Sequence, residues 1–294
     1  MKTQIVIHLL PTEIDDFEWQ VKQLKLASFY LNKTDTINID VTLNLNLVDW
    51  KESKFEKQYF VDKFNNIKKL CNFCEDTIFE IDENNKVLGC DDKRRQTIRK
   101  VDDSIKNIIY LDCDIIFTPE TLKYILDSTA LVDSKYYIIS PQITKAWDNT
   151  WDCLVNDNYL NHPLNYNREC DPYETSIIKD EINLKKINEF KFGGGWFNLL
   201  STNLLKFTDI PDSFGPYGVD DTYVMMCSQL MKNKRMDVQQ YVIENLIVSE
   251  NYKYRFNPYE NYFKCINKKD EYRKNAEANF SIELNKFYNK LNNL

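Results

Sequence analysis

Glycine is scarce in this chain: 294 residues contain six, well under the ~7% usual for globular proteins. Five of the six fall in two short motifs, Gly193-Gly194-Gly195 and Gly215 with Gly218, while Gly89 stands alone. A chain this sparing with glycine places it where backbone needs a positive φ or close approach to a neighbour. Long apolar runs are also missing, and none approaches the ~18 residues of a membrane span. The apolar-leaning stretch near the start, Ile5 to Leu10, is too short for a signal-peptide core and no small-residue cleavage site follows it. The expectation is a soluble, cytoplasmic protein with no transmembrane segment. Excess positive charge is absent too. The net charge is −7, which argues against a general nucleic-acid binder.

What the chain does have is 43% hydrophobic, 28% charged and 14% aromatic residues. That excludes a disordered or collagen-like chain and suffices for one large core or two small ones. The eight cysteines are irregularly spaced and read as reduced thiols. Cys71-Asn-Phe-Cys74 is a lone CxxC without the second pair a zinc site needs, so plain half-buried thiols are expected there. Charge is uneven: residues 252–294 carry nine Lys/Arg against five Asp/Glu, together with many aromatics. This segment reads as a basic, aromatic C-terminal helical extension packed on the rest of the chain, 1–251.

Strand-like and helix-like patterns alternate through the first half. Thr3 to Leu10 reads as a buried strand, and Phe17, Val21 and Leu24 mark a helix face. Ile37, Ile39, Val41, Leu43, Leu45 and Leu47 alternate with polar residues, as in a strand with one wet face. Phe60, Phe64, Ile67 and Leu70 predict a second helix and Thr77–Ile81 a third strand. Asp91 to Ser104 reads as a solvated helix. Ile108 to Leu111 is a fourth strand running into Asp112-Cys113-Asp114. Thr118-Pro119-Glu120 has the form of a helix N-cap with Pro in the first turn, and Tyr136–Ser140 is a further strand. Residues 145–185 are polar and aromatic and read as a long functional loop. This alternation predicts an α/β fold, a sheet with helices on both faces.

Three motifs carry chemistry. Asp112-Cys113-Asp114 places two carboxylates at the carboxyl end of a buried strand, where open α/β sheets bind ligands. Two hard oxygen donors there suit Mn²⁺ or Mg²⁺, and such an ion suits a diphosphate. The alternative is a solvated turn. Phe192-Gly193-Gly194-Gly195-Trp196-Phe197 lets backbone pass close to a ligand beside an aromatic platform, or makes a tight turn feeding a core strand. Phe214-Gly215-Pro216-Tyr217-Gly218-Val219-Asp220-Asp221 delivers two carboxylates to a helix start, with the helix predicted over Thr222–Met231. A helix N-terminus stabilises an anion, and an ionised carboxylate held there can accept a proton. The bland reading is an N-cap pair.

In their order, these motifs resemble a nucleotide-sugar-dependent glycosyltransferase of the GT-A (Rossmann-like) fold, most similar to the inverting family 2 and β-1,4-galactosyltransferase types, and this resemblance implies a mixed sheet flanked by helices with a C-terminal helical extension. The resemblance spans roughly residues 1 to 251. It implies transfer of a sugar from a nucleoside-diphosphate sugar, with UDP as the expected nucleotide, to an acceptor hydroxyl. Asp112 and Asp114 would bind metal and donor, Asp221 would be the base, and Asp220 would hold an acceptor hydroxyl. Gly194, Gly195, Trp196, Phe197, Tyr217 and Gly218 would line the acceptor side. His8, Leu9 and Pro11, in and after the first strand, are nucleotide-pocket candidates, with a satisfied core histidine as the alternative for His8. Asp91, Arg94, Arg95 and Arg99 precede the metal strand in a stretch that in such enzymes approaches the base or phosphates; Asp91 and Arg95 are the donor-binding candidates, and a solvated helix is the alternative. Family members often take a histidine as third metal ligand, but only His8 and His162 exist here; Glu250, an oxygen donor, is the candidate substitute, with an exposed strand-end residue as the alternative. The acceptor is a glycan, a lipid-linked sugar or another hydroxyl compound. A modified DNA base is a further option that the acidic total disfavours. The competing readings are a nucleotidyltransferase and a degenerate sugar-binding module. The first is weakened because Leu10-Pro11-Thr12-Glu13 lacks the glycine-rich basic loop such enzymes carry. The second is weakened by the four aspartates together.

Overall fold

The structure is a computed structural model that describes residues 1–83, 89–144, 181–190, 197–250 and 269–294. The strands are β1 (Lys2–Leu9), β2 (Thr36–Asn44), β3 (Asp76–Asp82), β4 (Ile105–Leu111), β5 (Ile115–Ile116), β6 (Tyr136–Thr144), β7 (Leu184–Ile187), β8 (Phe197–Ser201) and β9 (Val238–Glu250). The α-helices are α1 (Ile14–Ser28), α2 (Lys57–Lys68), α3 (Cys90–Lys100), α4 (Thr121–Asp127), α5 (Thr202–Thr208), α6 (Asp220–Asn233) and α7 (Lys269–Asn292).

Among the described residues the nine strands form one sheet in the order β3-β2-β1-β4-β8-β6-β9-β5, with β7 also paired to β9. The β3-β2-β1-β4 half is parallel. β8 is antiparallel to both β4 and β6, and β6 runs parallel to β9. This is the expected mixed sheet flanked by helices, closed by a C-terminal helix, and it is the architecture that the GT-A resemblance implies.

The strand alternation divides the core in two. Ile109 and Leu111 of β4 join the cluster under α1, α2 and α4, with Phe17, Phe64 and Ile125. Ile108 and Tyr110 of the same strand face the opposite cluster under α3, α5, α6 and α7, with Ile98, Leu204, Tyr223 and Phe287. The C-terminal helix belongs to this second core. Ala276, Phe287 and Leu291 are buried, and Phe280 lies with its ring centroid 6.2 Å from that of Phe214.

Three sequence expectations change here. The supposedly wet face of β2 is covered, because Asp40, Thr42 and Asn44 are all buried. What covers it is α3, expected to be solvated; its residues Asp91, Lys93, Arg94, Arg95, Thr97 and Ile98 are buried. Burying charge is tolerable only when each group finds a partner. Lys93 Nζ donates to Asp40 and lies 3.4 Å from Glu80 Oε2, while Thr97 Oγ1 donates to Asp40 Oδ2 at 2.7 Å. The third change is at Thr118-Pro119-Glu120. Thr118 accepts from the Thr121 amide through its carbonyl, as a turn, and α4 starts at Thr121 without a side-chain cap.

Candidate active site

Asp112-Cys113-Asp114 follows the last residue of β4, at the carboxyl edge of the parallel half-sheet. Gln20 of α1 donates to the Asp112 carbonyl at 2.5 Å, fixing the backbone as it leaves the strand. Cys113 is buried and its Sγ lies 4.0 Å from the His8 carbonyl, so the end of β1 adjoins this turn. Burial pushes the Cys113 thiol well up, and the nearby carboxylates of Glu13, Asp112, Asp114 and Asp16 push it further. The thiol therefore stays neutral while its two flanking aspartates remain partly exposed.

Asp220 and Asp221 open α6. Six of the seven buried positions of this helix, Asp220, Tyr223, Val224, Cys227, Ser228 and Met231, repeat at the 3–4 spacing of a helix face, and Met225 beside them is the seventh. Asp220 thus sits on the inner face, with the half-buried Asp221 beside it. The Thr222 amide donates to Asp221 Oδ1 at 2.6 Å.

Arg94 joins the two motifs. Its Nη1 donates to Asp220 Oδ2 at 2.7 Å, and its Nη2 lies 3.8 Å from Asp112 Oδ1. The guanidinium stacks 4.5 Å above the Tyr110 ring. Burial alone would lower its pKa, but Asp220, Cys90 and Asp112 more than offset that, so the side chain stays charged. A planar fork stacked on an aromatic face suits Arg and not Lys.

The surrounding carboxylates respond. Asp221 is pushed up to about 7, by burial first and by the Asp220 charge second, against the opposing pull of Arg94. Asp91 is fully buried, and burial followed by Asp220 holds it well above the carboxylate range. Asp91 Oδ1 accepts from the Gly218 amide at 3.2 Å and from the Cys90 thiol at 3.3 Å. Burial raises the Tyr217 hydroxyl, and Cys90, Asp221 and Asp112 add to the effect, so it remains a donor close to both aspartate motifs.

The other sequence candidates separate into groups. Leu9 and Pro11 are buried and His8 half-buried at the end of β1 and just beyond. Phe197 is a core residue 5.5 Å from Phe117, ring to ring. Arg95 turns away from the aspartates and donates to the carbonyls of Ile210, Pro211 and Gly215 and to Asp92. Arg99 pairs with Asp209 and Asp212 at the surface. Gly194, Gly195 and Trp196 lie outside the described residues, as does most of the 145–185 loop. The backbone of Glu250 lies opposite Ile115, one residue from Asp114; its side chain lies outside the described residues.

From this stretch the sequence points to Arg95 for the donor, whereas the arginine that reaches both aspartate motifs is Arg94. The available signal was the spacing of Asp91, Arg94, Arg95 and Ile98, one helical face that mixes three charged residues with an apolar one. Tyr110, Glu13 and Asp16 carried no separate signal. As a site for a divalent cation, Asp112 and Asp114 offer suitable carboxylate donors on a partly exposed turn. Among the described residues no group of three His, Cys, Asp or Glu side chains converges to complete a protein-only cage. One or two carboxylates, together with water and substrate phosphate, are a usual ligand set for Mg²⁺.

No protein-family model and no curated protein sequence matches the chain. Similar solved structures include S. aureus TarS, with 15% identity, 85% of this chain and 36% of that one covered, and a TM-score of 0.47. TarS 1-349 in complex with UDP-GlcNAc is similar at 15% identity over 82% of this chain and 58% of that one, with a TM-score of 0.46. HddC from Yersinia pseudotuberculosis is similar at 11% identity over 94% and 98% of the two chains, with a TM-score of 0.42. The chain spans about a third of the length of TarS.

Proposed function

We propose that this chain is a glycosyltransferase that moves a sugar from a UDP-sugar to an acceptor hydroxyl with inversion, and that it depends on a divalent cation. The observation that carries the reading is the Arg94 bridge. Two aspartate motifs more than a hundred residues apart meet at one guanidinium, 2.7 Å from Asp220 and 3.8 Å from Asp112. Donor chemistry and acceptor chemistry need such adjacency, since the leaving diphosphate and the attacking hydroxyl flank one anomeric carbon.

Asp112 and Asp114 would hold Mn²⁺ or Mg²⁺, with Glu250 as a third candidate. The ion's contribution when bound is to neutralise charge on the diphosphate. Asp221 takes the acceptor proton. Its pKa of about 7 suits a base working near neutrality. Asp220 is buried, and its carboxylate is engaged by Arg94. It therefore holds the guanidinium and raises the Asp221 pKa; the hydroxyl-holding role that the resemblance implied for it would have to be met from a buried ion pair. A screen of UDP-sugars for divalent-dependent hydrolysis, followed by mass spectrometry on candidate acceptors, tests the reading. Divalent-stimulated release of UDP supports it, and no release from any donor with any divalent cation overturns it.

A further inference from the structure

The loop that ends in Asp220-Asp221 is clamped from two sides. On one side stands α3. The Asp91 amide donates to the Pro216 carbonyl at 3.2 Å, and the Asp91 carboxyl accepts from the Gly218 amide. A Cβ on Gly89 would lie 2.1 Å from the Pro216 oxygen. On the other side stands α7, in a segment outside all three motifs. Asn275 and Asn279 Nδ2 donate to the Ser213 carbonyl at 3.2 and 3.3 Å, and Ser213 Oγ donates to Glu283 at 2.8 Å. A Cβ on Gly218 would lie 2.4 Å from Ala276 Cβ, and Ala276 is fully buried.

We infer that α7 is a positioning element for the reaction. Ala276, with Asn275 and Asn279, seats the 213–218 loop at the height that brings Asp221 into register with Arg94 and Asp112. The inference rests on the reading of Asp221 as the base. The physical argument is one of distances. Gly218 is two residues before Asp220, so displacement at Gly218 passes directly into the first turn of α6. Real Cβ atoms do not approach to 2.4 Å, and neither neighbour can rotate away, because Ala276 has no side-chain torsion and α7 is held by Phe280 and Phe287 in the second core. A misplacement of about 1 Å at a reacting group is enough to lower a rate on the order of 10²-fold. Donor binding at Asp112 and Asp114 sits on β4 and α1, which α7 does not touch through these contacts.

The test is a double-mutant cycle on full-length protein with Gly218→Ala, Ala276→Gly and the pair. Three readouts are followed: UDP affinity with Mn²⁺ by calorimetry, kcat for transfer, and hydrogen exchange of the amides of 213–222. Gly218→Ala is expected to lower kcat at least about tenfold with UDP affinity changed less than about threefold, and to speed exchange in 213–222. Ala276→Gly on that background is expected to restore both kcat and protection. Unchanged exchange in Gly218→Ala overturns the seat, as does a UDP affinity that falls in step with kcat, or a pair no better than the single variant. If Gly218→Ala fails to fold, Asn275→Ala/Asn279→Ala replaces it. There, faster exchange in 213–218 is expected, and unchanged exchange overturns the seat. A wild-type protein that neither binds UDP nor transfers sugar removes the functional reading, while the exchange arm still decides whether α7 seats the loop.

Discussion

Asp221 and Asp220 are adjacent in sequence, yet Arg94 engages only Asp220 by a close ion pair. That makes the pH profile of kcat/KM a sharp probe. With Asp221 at about 7, the base is about one-tenth ionised at pH 6 and about nine-tenths at pH 8, so activity should climb roughly tenfold per pH unit on the acid side and level off. The charge on Asp220 contributes to the position of that limb. A like charge about 6 Å away at an effective dielectric of about 20 is worth on the order of 2–3 kcal/mol, or about two pKa units. Asp221 is partly exposed, and solvent screening reduces the effect to about one unit. Asp220→Asn should therefore move the acid limb down by about one unit. Arg94→Met removes the charge that opposes the rise and should move it up. The assay is kcat/KM from pH 5 to 9, read for its midpoint and not its amplitude, so that loss of rate in either variant does not obscure the answer. Shifts of the same sign in both variants, or no shift in either, would refute the electrostatic coupling of Asp221 to this pair.

Other expectations follow from the same contacts. Because burial holds the Asp91 carboxyl well above the carboxylate range, Asp91→Asn should leave thermal stability near wild type. Asp91→Ala strips the acceptor from the Gly218 amide and should cost about 1–3 kcal/mol by denaturant unfolding. Asp221 also has a folded-state pKa raised above its unfolded value, so the folded state binds that proton more tightly. Its contribution to stability is favourable at low pH and declines as pH rises from about 4 through about 7, which Asp221→Asn should abolish in pH-resolved melting curves. Asp40→Ala leaves Lys93 buried without its nearest partner and should destabilise by about 3–5 kcal/mol, whereas Asp40→Ala with Lys93→Met should recover most of that in urea titrations.

Much of the sheet was legible because its apolar residues keep a strict period. Ile37 to Leu43 and Ile108 to Leu111 announce strands, and Phe17, Val21 and Leu24 announce a helix that the structure places at Ile14–Ser28. Burial was harder to read where charge was involved. α3 looks solvated because a one-letter pattern cannot say that Lys93 meets Asp40, or that Arg94 meets an aspartate 126 residues later. The wet face assigned to β2 failed for the same reason, since its cover is a polar helix. Glycine scarcity was informative in an unexpected way. Gly218, expected on the acceptor side, is pressed against Ala276, and Gly89, which belonged to no motif, lies against Pro216. The order of the aspartate motifs pointed to the site, but the guanidinium joining them emerges only when α3 is folded over β4.

The most direct measurement is calorimetric titration of UDP into wild type and Asp114→Ala, with and without Mn²⁺. A carboxylate on a partly exposed strand-end turn is no part of the core, so the variant should melt close to wild type. The expected result is Mn²⁺-dependent UDP binding in wild type that Asp114→Ala abolishes. UDP affinity that is the same in both proteins, or indifferent to Mn²⁺, would contradict the account.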